Sequence, residues 1–137
     1  MVPKAGTKDR ARYDMWCFWC MTELDCTLYV YRKHAEADAG GLAELYGSAP
    51  AAIEAAAEYF VKQLAVAVAE LRRTGAYLLG AEFSAADVLL TSCLEWAKRI
   101  GWLPARADGA SIRVIEQYLA LVTGRKAYAE AQAMLSG

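Results

Sequence analysis

Cys17-Phe18-Trp19-Cys20 places two thiols three residues apart, the spacing of a redox pair or of half a metal site. The surroundings argue for a blander role. Residues 15–21 are apolar on every side, and the pair falls inside a long helical pattern rather than at its start. No helix N-terminus is therefore available to lower a thiol pKa. Zinc would need two further ligands, and Cys26, Cys93 and His34 do not stand at standard ligand spacing. Two small hydrophobes on a crowded helix face, with no metal, is the favoured reading. Glu23 and Asp25 fall on different helix faces and do not make a paired-carboxylate site. His34, the one histidine, is expected to meet free carbonyls at a helix end rather than act as a base. Arg10 and Arg12 read as solvated charges at a helix start, and no catalytic residue is expected.

The elements around these residues are helical. Leu78-Leu79-Gly80-Ala81-Glu82-Phe83-Ser84-Ala85-Ala86-Asp87 carries three signals of a helix start. Ser84 is the expected N-cap. Asp87, three residues on, can reach back to the Ser84 amide and meets the positive end of the helix dipole. Phe83 and Val88 are spaced for a hydrophobic staple. Both Ser84 and Asp87 are read as structural.

Five helical segments and no convincing strand follow from the periodicity. The first runs from about Lys8 to about Ala37. The second starts near Pro50, with Ile53, Ala57, Phe60, Leu64, Val68 and Leu71 on one stripe, and Gly75 closes it. The third begins at Ser84, with Leu89, Cys93, Ala97 and Ile100 inward. The fourth spans about 110–123, with Ile112, Ile115, Leu119 and Val122 inward. The fifth spans about 126–135 and carries Tyr128, Ala131 and Leu135. The expected fold class is an all-α bundle of about five helices.

Composition bounds the function classes. A chain of 137 residues is long enough for one proper core, and 57% of it is hydrophobic. A net charge of -1 gives no electrostatic support for a nucleic-acid or anionic-membrane partner. No apolar run approaches the roughly 18–20 residues that span a bilayer. Four cysteines without a secretory signal favour reduced thiols and a cytoplasmic location.

The order of helices resembles the C-terminal domain of the cytosolic glutathione S-transferases, over about Arg10 to Met134. The opening Arg10-Ala11-Arg12-Tyr13-Asp14-Met15-Trp16 is similar to the start of that domain's first long helix. Tyr77-Leu78-Leu79-Gly80 with Phe83-Ser84-Ala85-Ala86-Asp87 resembles its most recognisable motif. Tyr118-Leu119 with Gly124-Arg125-Lys126-Ala127-Tyr128 resembles its closing segment, though the family usually has proline where Lys126 stands.

The resemblance implies that full-length members join glutathione, their co-substrate, to electrophiles. A thioredoxin-like domain preceding this one supplies the glutathione site. No βαβ pattern and no cis-proline candidate for that domain is read here. Residues 1–9 look like an interdomain linker, and residues 10–137 like the helical domain. The chain itself is expected to hold no cofactor and to be catalytically incomplete.

The resemblance also implies that the first helix lines the pocket for an apolar electrophile, with Tyr13, Trp16, Cys17 and Cys20 facing it, and contributes to a homodimer. Plain packing of Tyr13, Trp16 and Trp19 against neighbouring helices is the competing reading. Without its partner domain the first helix is expected to carry an apolar patch around Trp16 and Trp19. The alternative function is a non-catalytic helical protein-interaction module.

Overall fold

A computed structural model describes residues 1–135. The described residues form an all-helical bundle: α1 (Lys8–Trp19), a π-helical turn (Cys20–Asp25), α2 (Cys26–His34), a one-turn α3 (Ala43–Tyr46), α4 (Pro50–Thr74), α5 (Ala85–Arg99), α6 (Gly109–Thr123) and α7 (Lys126–Leu135). No membrane-length apolar helix occurs among them.

The first expected helix is one rod in three pieces, and its inward residues explain the join. Trp16, Cys20, Leu24 and Leu28 are all buried, each four residues from the last. On an unbroken α-helix a stripe at steps of four rotates about 40° per step, because a turn holds 3.6 residues. The wider π turn takes up extra residues at its middle and keeps the stripe facing inward. The rod ends at His34, and residues 37–39 form a separate 3-10 turn.

Long α4 lies beside this rod. Its buried stripe of Ala57, Phe60, Leu64, Val68 and Leu71 is the expected one, with Ile53 half-buried. The helix opens on Pro50 and ends at Gly75, whose φ of 78° suits a residue without a side chain. Arg12 of α1 bonds Glu70 of α4 at 2.8 Å, and Tyr59 of α4 donates to Glu23. These two bonds tie opposite ends of the pair, so α4 runs antiparallel to the rod.

The inward face of α5 differs from the expectation. Ala86, Leu90, Cys93, Leu94 and Ala97 are buried, whereas Leu89 and Ile100 are half-buried. On α6, Ile115, Leu119 and Val122 are buried as expected and Tyr118 joins them, while Ile112 is half-buried. Helix α7 has the expected bounds but buries nothing fully, and Leu135 is exposed. The Leu103–Pro104 peptide is cis, in the loop between α5 and α6.

The turn after α2 depends on one close approach. Gly41 donates to the Glu36 carbonyl at 2.9 Å, and a Cβ at Gly41 would collide with the Ala35 backbone. Gly41→Ala is expected to destabilise the fold by about 2 kcal/mol or more, since backbone cannot move aside as a side chain can. Urea unfolding of both proteins measures it, and equal midpoints would contradict the steric argument.

Candidate functional site

Asp87 sits 0% exposed at the start of α5. Its Oδ2 accepts from the Ser84 N–H and from the Ser84 hydroxyl, each at 2.9 Å. Its Oδ1 accepts from the Leu78 N–H at 2.9 Å and from the Tyr118 hydroxyl at 3.1 Å. The capping box read from sequence is present in both directions. Two of the four bonds go beyond it, because Leu78 belongs to the preceding turn and Tyr118 to α6. Burial, the largest cause, and then the Asp87 carboxylate push the Tyr118 phenol up, so it stays a neutral donor.

Immediately beside this anchor, a groove of about 320 Å³ runs between α5 and α7. Phe83 and Val88, the expected staple pair, both line it, with Val122, Arg125, Tyr128 and Met1. The Arg125 guanidinium lies 3.6 Å from the centre of the Phe83 ring, a cation–π contact. Tyr128 donates to Glu95, and that bond raises its pKa. The lining is mostly apolar, and its one carboxylate is already engaged. Such a wall can receive an apolar side chain or a small apolar molecule; it offers no activated nucleophile. Residues 1–7 fold back toward this end of α5, where the Ala85 N–H donates to the Met1 carbonyl at 3.0 Å.

The four residues singled out on the first helix separate into two pairs. Trp16, 4% exposed, and fully buried Cys20 belong to the core. Trp16 meets Trp19 edge-on at 5.2 Å, and its Nε1 has no hydrogen-bond partner among the described residues. Tyr13 and Cys17 are half-buried one turn apart, and a hydrogen bond with Cys17 is the main cause raising the Tyr13 pKa. None of the four lines the groove between α5 and α7. The outer face of this rod also differs from the expectation. Its exposed large apolar residues are Met15, Phe18, Met21 and Tyr29, not Trp16, which lies inside, nor Trp19, which is half-buried.

The remaining candidates take structural partners. Arg10 pairs with Asp14 and Arg12 with Glu70. His34 Nδ1 donates to a carbonyl, that of Gly47 at 2.8 Å. Burial pushes the Cys20 thiol far up and that of Cys93 to about 12. No cluster of three or more His, Cys, Asp or Glu able to hold a metal occurs among the described residues. Sequence reasoning missed the wall made by Val122, Arg125 and Tyr128. Its signal was the closing segment 124–128, whose partner face periodicity does not reveal.

The profile described as "Glutathione S-transferase, C-terminal domain" matches residues 50–120, more than half of the chain, and the chain belongs to that family. Three solved structures are similar to it. A glutathione transferase from Methylococcus capsulatus strain Bath superposes with a TM-score of 0.78 at 23% identity, over 97% of this chain and 57% of that one. BphK, a bacterial GST solved as a ternary complex, gives 0.75 at 21% identity, over 95% and 56%. A sphingomonad glutathione S-transferase complexed with glutathione gives 0.73 at 25% identity, over 95% and 56%. The chain thus spans little more than half the length of each. No curated protein sequence matches it.

Asp87→Ala is expected to cost about 3–4 kcal/mol, because it leaves several buried donors without an acceptor. Ser84→Ala, which keeps the Ser84 N–H bond to Asp87, is expected to cost about 1 kcal/mol. Denaturant unfolding of both variants checks the ratio. Equal losses would reduce Asp87 to an ordinary cap.

Proposed function

We propose that this chain is the helical, co-substrate-side half of a glutathione transferase, acting with a thioredoxin-like domain that supplies glutathione and ionises its thiol. The observation that carries the reading is the apolar groove between α5 and α7. Met1 lies at its edge, on the side where a preceding domain would join. An apolar side chain from that domain fits the wall of Phe83, Val88 and Val122. Of the four first-helix residues singled out, Tyr13 and Cys17 are the two with surface to offer an apolar electrophile, supplying polarisable contact. Trp16 and Cys20 hold the helix from beneath.

Homodimerisation belongs to the same proposal. Phe18 is 69% exposed and Met15 51%, and Tyr59 and Val66 are exposed on α4. Met15 lies one turn from Arg12, and Val66 one turn from Glu70, so both flank the Arg12–Glu70 bond. Large apolar residues grouped across two packed helices seldom stay bare in water, and a second copy of the same face covers them symmetrically.

The chain alone is expected not to be retained on glutathione-agarose and not to conjugate a chloronitrobenzene acceptor. Fusion to the thioredoxin-like domain of the sphingomonad enzyme is expected to restore both, and exposed Val88→Glu to weaken the restoration by roughly tenfold or more. Conjugation by the isolated chain, in proportion to its concentration, would overturn the reading. Fusion without either gain would favour a non-catalytic interaction module. For assembly, sedimentation at micromolar concentration should give two chains, and Met15→Glu with Phe18→Glu should give one. A monomeric wild type would remove the dimer.

A further inference from the structure

At the opposite end of α5 from Asp87, a second groove of about 560 Å³ opens between the last turns of α2 and α5. Its character is unlike the first. Arg32 from α2 and Arg99 from α5 stand on different helices around it, Tyr31 and Trp96 supply aromatic surface, and no Asp or Glu lines it.

The rim is fixed by the fold. The Tyr31 hydroxyl donates to the Ala39 carbonyl at 3.2 Å, and Arg32 Nη1 to the Gly40 carbonyl at 2.6 Å. The Leu42 N–H returns a bond to the Arg32 carbonyl at 2.9 Å. Tyr31 is braced edge-on by Trp102 at 6.0 Å, and Trp96 by Tyr29 at 5.4 Å. Arg32 is thereby held in place with most of its donors free. The Arg99 side chain makes no hydrogen bond or ion pair with any described residue. Glu95, the carboxylate that shares the adjoining surface with Arg99, is engaged by Tyr128.

We infer that this groove binds an aromatic phosphate monoester, of the size of a nucleoside monophosphate. Near neutral pH such a phosphate carries between one and a half and two negative charges, roughly. Two guanidiniums from different helices match that charge, and their planar forks suit phosphate oxygens. The ring of the ligand lies against Trp96 and Tyr31. Both helices point their negative ends here, roughly half a charge each. Within the lining, Arg32 and Arg99 outweigh those two ends, and Glu36 and Asp38 of the turn after α2 lie outside it. The site is independent of the glutathione reading and shares no residue with Tyr13, Cys17 or the Phe83 wall.

Calorimetric titration of the full chain with adenosine 5′-monophosphate tests it, with adenosine and inorganic phosphate as separate arms. Saturable binding of the monophosphate is expected, with each fragment weaker by about tenfold or more. Exposed Arg99→Ala should weaken it by about tenfold, and Trp96→Leu should weaken the monophosphate while leaving inorganic phosphate unchanged. Absence of saturable binding, adenosine binding as tightly as its phosphate, or an unaffected Arg99→Ala would each overturn the site.

Discussion

One buried carboxylate sets the geometry of this domain. Moving a charge from water into a protein interior costs several kcal/mol even after relaxation, and the fold keeps such a group only when its lone pairs are filled. Asp87 fills four of them from three separate segments: the turn at Leu78, the cap at Ser84 and helix α6 at Tyr118. Bonds to a charged acceptor are stronger than neutral ones, and all four shorten the choice of positions open to α5. The start of α5 cannot shift along its axis or swing away from α6 without breaking at least one of them. Phe83 and Val88 flank that point, so the wall of the α5–α7 groove inherits its position from Asp87. A folding signal and the candidate site are in this sense one structure.

The first rod is organised by a second constraint, the step of four between Trp16, Cys20, Leu24 and Leu28. Keeping that stripe on the core side required a π turn, and the turn fixes what the outer side can offer. With Trp16 and Cys20 consumed by the core, the outer face is left with Met15 and Phe18, and the flank with Tyr13 and Cys17. The core face and the faces proposed above for a second copy and for an apolar co-substrate are thus successive sectors of one helix.

Legibility in the sequence followed the purity of the pattern. The α4 stripe was readable because alanines and charges make up most of the helix outside it, with Tyr59, Val61 and Val66 the large apolar exceptions. The cap was readable because Ser84 and Asp87 stand at the one spacing that closes a box. The inward face of α5 was harder. Val88, Leu89 and Leu90 are consecutive and apolar, so periodicity alone gives no unique register, and the buried Asp87 looks like a surface residue. Only the tertiary bonds from Leu78 and Tyr118 reveal that it lies inside. Helix α7 was readable in its bounds, between the breaker Gly124 and its end at Leu135, but it buries nothing fully, with α6 as its principal neighbour. The π turn left a trace in the step of four, which a reading by helix wheels passes over. The wall of Val122, Arg125 and Tyr128 left only the closing segment 124–128, since the face it meets forms only where two helix ends come together.

The thiols bear on the division of labour proposed above. Nucleophilic sulfur chemistry at neutral pH requires a thiolate, and a thiolate requires a nearby positive charge, a helix N-terminus or a metal. Cys20 and Cys93 are pushed the other way by burial, and Cys26 by burial and by its neighbours Glu23 and Asp25. The same apolar packing that gives the first rod its stability therefore raises the cost of ionising sulfur beside it. A helical domain built like this favours holding an apolar molecule over activating a thiol. The two tasks call for opposite dielectric environments, a physical reason for the proposed transferase to keep them in separate domains.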